Sequence, residues 1–304
     1  MKNLISVVGP TGIGKTRLAI DLAKRFNTEI ISCDSRQFFR EMKIGTASPS
    51  ADELAEAPHH FIGNLSVKEY YSIGQYEEDA LKKINKLFEK YDTVILVGGS
   101  MMYEKAVIEG LNDLPEANVE NQQKLQEILD TEGIEKLQEI LKELDPEYYA
   151  VVDFHNHRRL LRAIDIIWQT NKKYSELIAI SQDSRDFNVT RIGIEAPREE
   201  LYDKINRRVD IMMEKGLLEE AKGLEKFKDL TALNTVGYAE LFKYFEGIWS
   251  LDFAVEEIKK NSRRYAKRQL TWYRKADDIH YVKVGYSQED FGNLIEYINK
   301  NILQ

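Results

Sequence analysis

Gly9, Gly14, Lys15 and Thr16 of the stretch "GPTGIGKT" stand at the spacing G-x-x-x-x-G-K-[ST], the spacing of a phosphate cradle. A turn of this kind aims successive backbone N–H groups at one point, and the dipole of the helix behind it favours an anion there. Lys15 adds a point charge, and the Thr16 hydroxyl is a hard oxygen ligand suited to Mg²⁺. Pro10, Thr11, Gly12 and Ile13 fill the rest of the turn. The apolar run "NLISVV" precedes it and an amphipathic run opens at Lys15. That strand–turn–helix context is what a cradle needs and a stray glycine turn lacks. The residues alone leave open which phosphate is held, ATP being the default.

Asp34, in "ISCDSRQ", follows a second apolar run. A carboxylate there serves as a general base or as an outer partner of a metal ion. Asp34 with Gln37 three residues on also has the form of a helix cap. Cys33 ends the run and reads as buried structure. A third run, "TVILVGG", leads through Gly98 and Gly99 to Ser100 and carries no acid. P-loop ATPases and kinases commonly hold Mg²⁺ with an acid near this place. Its absence counts against NTP hydrolysis but leaves a small-metabolite kinase open. Paired glycines let backbone approach a ligand closely, and Ser100 offers a hydroxyl.

Loops of this kind need strands to carry them. "NLISVV", "EIISC", "TVILVGG", "RIGIEA" and "IHYVKVG" read as short buried strands with helical patterns between them, the mark of a parallel α/β sheet. Ligands of open α/β sheets sit beyond the carboxyl ends of the strands, so the three loops are expected at one crevice. Strand patterns stop between Leu114 and about Asp186, where "VENQQKLQEILD", "GIEKLQEILKELD", "HRRLLRAIDIIWQT" and "KYSELIAIS" follow one another. The expected architecture is a P-loop-type α/β core, residues 1–114 and 187–304, flanked by helices and interrupted by an all-helical insertion, residues 115–186. Pro115 and "SQDSRDFN" mark its limits.

The chain has 304 residues, 43% of them apolar, with one cysteine and a net charge of −8. An apolar run of about 18 residues, the length of a membrane span, is absent. The chain enters a strand at once, which leaves no room for a signal peptide. A lone cysteine excludes an internal disulfide and fits a reducing compartment, so the expected location is the cytoplasm. The acidic total hides a local basic patch: "KKNSRRYAKRQLTWYRK", residues 259–275, has eight Lys or Arg and no acid. On the helix expected from Leu251 to Arg274, Leu251, Val255, Ile258, Ser262, Tyr265, Gln269 and Trp272 form an inward stripe. Lys260, Arg263, Arg264, Lys267, Arg268 and Lys275 face the other way, a face suited to a polyanion. Arg158 and Arg162 share a helix face with Arg159 beside them, near His155 and His157; phosphate or plain solvent suits that face. Arg207 and Arg208 turn to the crevice or pair with nearby Glu. His59 and His60 have too few companions for zinc and read as loop-stabilising.

Taken in order, "GPTGIGKT", "DSRQFFREMKIGTASPS", "APHHFIG", "YSIGQYEEDA", "LVGGSMMYEKAVIEGL", "RRLLRAIDII", "PREELYDKINRRVD", "VGYAEL" and "RRYAKRQLTWYR" resemble the bacterial tRNA dimethylallyltransferases, or isopentenylpyrophosphate transferases. The resemblance spans nearly the whole chain. It implies transfer of a dimethylallyl group from dimethylallyl diphosphate to the exocyclic amine of the adenosine 3′ of a tRNA anticodon. It also implies Mg²⁺ as cofactor, a monomer, and no membrane. Gly9 to Thr16 would then hold the donor's diphosphate, with Arg208 as a second clamp. Asp34 would be the general base and Ser100 would orient the flipped adenine. Asp34, Ser35, Arg36, Gln37 and Ser100 would touch tRNA, as would Arg158, Arg159, Leu160, Leu161 and Arg162 from the insertion and Arg264, Lys267 and Arg268 from the basic helix. The chain departs from the family's usual residues at Gly12, Ile13, Gly63, Gln75 and Met101, while Ser100 keeps a hydroxyl where threonine is usual. A small-metabolite or nucleotide kinase using the P-loop for ATP is the alternative, and a non-catalytic RNA-binding protein a third reading.

Overall fold

A computed structural model describes residues 2–179 and 185–302. The chain divides into two compact units, residues 1–108 with 185–304 and residues 109–184. Residues 181–184 of the boundary stretch lie outside the described residues.

The first unit is built on β1 (Asn3–Val8), buried along its whole length as a central parallel strand must be. Helix α1 (Lys15–Phe26) starts after Gly14, lays Leu18, Ile20 and Leu22 in the core, and stops at Asn27, which takes a left-handed φ of 49°. Then come β2 (Ile30–Ser32), α2 (Ala51–Glu56), β3 (His59–His60), α3 (Ile73–Phe88), β4 (Thr93–Val97) and α4 (Met101–Glu109). Capping boxes at Ser50–Glu53 and Ser72–Gln75 fix the starts of α2 and α3. Gln75, one of the departures, therefore has a structural use.

The second unit is helical: α5 (Val119–Glu132), α6 (Ile134–Leu144), α7 (Pro146–Tyr149), α8 (His157–Thr170) and α9 (Tyr174–Ile178). Its core gathers Leu125, Leu137, Leu141, Leu160, Leu161 and Ile164. Two buried carboxylates brace it. Asp145 accepts from the Ser175 backbone N–H at 2.7 Å and its hydroxyl at 2.8 Å. Asp165 accepts from Asn121 and Gln169, each at 3.0 Å, and pairs with Arg162 at 3.4 Å.

Back in the first unit run β5 (Asn188–Glu195), α10 (Arg198–Glu214), α11 (Leu217–Leu224), α12 (Tyr238–Phe245), α13 (Leu251–Tyr273), β6 (Ile279–Lys283) and α14 (Gln288–Ile302). The strands form one parallel sheet in the order β3-β2-β4-β1-β5-β6. Because β4 lies between β1 and β2, the three loops expected to carry chemistry leave adjacent strands at the same edge. The five expected strands are all present, and β3 is an addition at the sheet edge. It is two residues long and shows no apolar pattern, so periodicity had nothing to register. His60 there holds Glu29 at 2.6 Å and His59 reaches the Ala57 carbonyl at 2.8 Å, which gives both histidines a local role. Among the described residues no helix is long and apolar enough to cross a membrane.

Just past their carboxyl ends, the chains leaving β4 and β2 approach closely under the site. A Cβ on Gly98 would lie 2.5 Å from Cys33 Sγ, 2.6 Å from the Cys33 carbonyl carbon and 2.8 Å from the Asp34 nitrogen. Two of those atoms are backbone and cannot swing aside. Gly98→Ala is expected to lower stability by about 1–3 kcal/mol through overpacking. Urea unfolding should show a reduced midpoint with unchanged slope; an unchanged midpoint would contradict so tight a contact.

Candidate active site

The P-loop takes the shape its glycines allow. Gly9, Gly12 and Gly14 have φ of 138°, 79° and 105°, a region L side chains rarely enter. The Lys15 ammonium lies inside the loop, 2.9 Å from the Pro10 carbonyl. Burial lowers its pKa to about 8, against the pull of the Asp34 carboxylate and with the push of Arg208. Thr16 lines the same cleft.

Asp34 does not cap a helix. The chain from 34 to 41 is a series of turns, and Asp34 Oδ1 accepts from the Arg36 N–H at 3.1 Å while its carbonyl accepts from the Gln37 N–H at 3.0 Å. Local side-chain-to-backbone bonds thus close a turn in place of a helix. The turn rests on aromatic packing: Phe38 stacks on Tyr76 at 5.1 Å, and the Tyr76 hydroxyl reaches the Ser32 carbonyl at 2.9 Å. Ser100 Oγ accepts from the Ser35 N–H at 3.0 Å and lies 2.9 Å from the Ser35 hydroxyl. The Arg36 guanidinium is spent on the Thr231 and Ala232 carbonyls, at 3.1 and 3.0 Å, and the Gln37 amide on those of Thr46 and Ala47. Cys33 is buried as expected, and burial pushes its thiol pKa well up.

Helix α13 joins the loops. Gln269 is fully buried; its Oε1 accepts from the Thr11 N–H at 2.8 Å and its Nε2 donates to the Gly99 carbonyl at 2.7 Å. The Tyr265 hydroxyl donates to the same carbonyl at 2.7 Å. Both residues were placed on the inward stripe but given no role, although a glutamine on an apolar face was the available signal. Arg208, on α10, turns to the crevice: its Nη1 is 3.3 Å from Thr11 Oγ1 and its Nη2 3.5 Å from the Thr46 carbonyl. Burial lowers its pKa and the Asp34 carboxylate raises it, so a carboxylate faces this cation. Arg207 is exposed.

Two clefts meet here. One, of about 890 Å³, is lined by Gly12, Gly14, Lys15 and Thr16 and continues past Ile44, Leu54, Ile62 and Ile211. The other, of about 490 Å³, is lined by Ser35, Arg36, Ser100, Asn234, Glu240 and Arg268. Thr11, Asp34, Arg208, Met212 and Tyr265 border both. Among the described residues no group of three or more His, Cys, Asp or Glu could hold a metal. Mg²⁺ does not need one, since it is usually held by one or two protein oxygens, substrate phosphates and water; the Thr16 hydroxyl and Asp34 carboxylate, on one cleft, are such a donor set.

Other expected contacts need correction. Leu160 and Leu161 are buried at 0% and 8% exposure in the helical core, so their side chains anchor α8 and cannot meet RNA. Arg162 is engaged by Asp165 and by the Pro115 carbonyl, while Arg158 and Arg159 are exposed. On α13, Lys259 pairs with Asp210 of α10 and Lys260 with Glu257, so acids outside the run neutralise two of its cations, while Arg263 donates to the Asn206 amide of α10 and keeps its charge. Arg264, Lys267, Arg268 and Lys275 stay exposed. The inward stripe is shifted: Ala254, Ile258, Ala266, Gln269 and Tyr273 are its buried members, whereas Leu251, Val255, Ser262, Tyr265 and Trp272 are half-buried.

A family model described as IPP transferase matches residues 37–276. The chain belongs to this family. It is 49% identical to the tRNA dimethylallyltransferase of Christiangramia forsetii, over 98% of each chain. It is 45% identical to tRNA dimethylallyltransferase 1 of Phocaeicola vulgatus, over 97% of each. Among solved structures, the tRNA isopentenylpyrophosphate transferase of Bacillus halodurans superposes with a TM-score of 0.74 at 34% identity, covering 99% of this chain and 97% of that one. A eukaryotic dimethylallyltransferase acting on tRNA gives 0.83 at 25% identity, covering 98% and 78%. The family model begins at residue 37, past the P-loop and Asp34, whereas the relatives align over nearly the whole chain, and these matches do not favour the kinase alternative.

Lys15 gives a pH test. Below about 8 folded and unfolded chains both keep its proton, and the cost of burying the charge is present in full. Between there and the ordinary 10.5 the unfolded chain binds more protons, so this group makes stability rise with pH. An anion bound in the loop draws the proton back. Near pH 8, diphosphate binding should take up about half a proton more in the wild type than in Lys15→Met, by calorimetry in buffers of different ionisation enthalpy. Equal uptake would contradict the assignment.

Proposed function

We propose that the chain transfers the dimethylallyl group of dimethylallyl diphosphate to the exocyclic amine of the adenosine 3′ of the anticodon in tRNA, releasing diphosphate. The observation that carries this is the position of Asp34, which borders both clefts with Lys15 and Arg208 facing it. One cleft takes the phosphorylated donor, the other the base.

The chemistry follows from these groups. The amine nitrogen attacks the first carbon of the prenyl chain, the carbon–oxygen bond breaks, and its electron pair leaves with diphosphate. Asp34 accepts the proton that the nitrogen loses. Lys15, Arg208 and the backbone N–H groups from Gly12 to Thr16 stabilise the charge that develops on the leaving oxygen. When bound through Thr16, Mg²⁺ supplies further neutralisation of the diphosphate. Glycines follow β4 in place of an acid: Thr16 with the substrate's phosphates would suffice for Mg²⁺, and no water is activated at any point. An exocyclic amine is free only when its base is unstacked, and the smaller cleft with Ser100 gives the flipped adenine a place. Ser100 and Ser35 orient the base. The departures leave this scheme intact, since Gly12 contributes backbone and Met101 opens α4 beside Ser100.

The tRNA is held by the exposed cations Arg158 and Arg159, which address the anticodon stem-loop, and by Arg264, Lys267 and Arg268. Arg36 and Gln37 serve it mainly by holding the Asp34 turn. Local basic patches answer the RNA despite the negative total charge. The reading takes the protein as a monomer, and a tRNA substrate with a buried lone thiol fits the cytoplasm.

Incubation with labelled dimethylallyl diphosphate, Mg²⁺ and a tRNA carrying adenosine 3′ of its anticodon should label the RNA. Asp34→Asn should lower kcat by about 10²–10⁴-fold, the usual worth of a general base, with RNA affinity kept. No transfer to an RNA that the protein binds would overturn the reading.

A further inference from the structure

Residues 43–47 form the partition between the two clefts: Lys43, Ile44 and Ala47 line the larger, Gly45 and Thr46 the smaller. The loop is irregular, and three successive N–H groups, those of Lys43, Ile44 and Gly45, point the same way. Such a nest binds an anion. Here the anion belongs to the protein: the Glu220 carboxylate on α11 accepts from Lys43 at 3.0 Å, from Ile44 at 2.9 and 3.1 Å, and from Gly45 at 2.9 Å. The Tyr238 hydroxyl donates to the same carboxylate at 2.6 Å. Tyr238 is fully buried and lies so near that a Cβ on Gly45 would be 2.6 Å from its ring and hydroxyl. The loop then bends through Ala47, whose φ of 45° is left-handed, a shape an alanine keeps only when its surroundings hold it.

That clamp ends at the site. The Thr46 carbonyl accepts from Gln37 at 3.3 Å and from Arg208 Nη2 at 3.5 Å, while Arg208 Nη1 reaches Thr11 Oγ1 at 3.3 Å. Both Arg208 contacts are long, so its aim depends on how firmly the Thr46 carbonyl is fixed. We infer that Glu220, with Tyr238, is a positioning residue for the diphosphate end of the reaction: it fixes the partition loop whose Thr46 carbonyl aims the Arg208 guanidinium at the P-loop. By filling the nest it also leaves the P-loop as the anion site of this cleft. The inference rests on the reading of Arg208 as a diphosphate clamp.

The test is calorimetric titration of magnesium diphosphate into wild type, Glu220→Gln, Tyr238→Phe, Arg208→Gln and the double variant Glu220→Gln with Arg208→Gln. RNA affinity and thermal midpoint are measured in parallel. Glu220→Gln keeps one acceptor but sets an amide N–H against backbone N–H groups. It should weaken diphosphate binding about tenfold, with RNA affinity within about twofold of wild type. Tyr238→Phe leaves the carboxylate and its three backbone bonds, folds more securely, and should weaken diphosphate by a smaller factor in the same direction. In the Arg208→Gln background Glu220→Gln should add nothing, because its effect runs through the arginine. Wild-type diphosphate affinity in both Glu220→Gln and Tyr238→Phe, or a Glu220→Gln loss that persists without Arg208, overturns the assignment. Failure of the wild type to bind diphosphate, or no loss in Arg208→Gln, instead overturns the clamp reading and takes the positioning role with it.

Discussion

Two partly buried cations against one carboxylate set the terms for this site. Burial lowers the pKa of both Lys15 and Arg208, and Asp34 acts on each in the opposite sense. A single carboxylate balances only half of that positive charge. Desolvated charge is costly unless it is paired, and a polyanion in the P-loop completes the balance. The cleft is thus organised for a ligand with more than one negative charge. The same two cations are the groups that ease diphosphate away as the bond to carbon breaks.

Keeping the three charges in place requires stiff loops, and the stiffness comes from glycine contacts and buried polar side chains. Gly98 brings β4 against Cys33 and Asp34, while Gln269 ties the P-loop to Gly99. Beneath them, Glu104 of α4 is almost fully buried and accepts from Ser6 of β1 at 3.0 Å and Arg191 of β5 at 3.2 Å. Burial raises the Glu104 pKa, and Arg191 opposes the rise. The helix that starts just after Ser100 is thereby pinned to the centre of the sheet. Such a polar web, once its partners are satisfied, rigidifies the loops it reaches.

What could be read from the sequence was whatever is encoded over short distances. The P-loop, the buried strand runs and the helices of residues 119–178 each carry their own pattern within a dozen residues. Asp34 was readable as chemistry but not as conformation, because a capping pattern and a turn share the same Asp and Gln. Glu220 was not readable as a site element, since its partners lie far off in sequence at Lys43–Gly45, and Gln269 showed only as a glutamine on an apolar face, its partners at Thr11 and Gly99 being equally distant. "GLLEEA" looks like any solvated helix face. Leu160 and Leu161 were assigned to RNA with their arginine neighbours; the apolar side chains alone argued for the core. Three of the eight cations in the basic run, Lys259, Lys260 and Arg263, are engaged by Asp210, Glu257 and Asn206, none of which stands inside the run.

The central claim is geometrical: donor and base reach Asp34 through different clefts. A crystal structure with an unreactive thio-analogue of dimethylallyl diphosphate and an anticodon stem-loop tests it directly. The account predicts diphosphate oxygens on Lys15 and Arg208 in the larger cleft, and the adenine in the smaller one with its exocyclic amine on Asp34. Both ligands entering by one cleft, or the amine bonded elsewhere than Asp34, would contradict it.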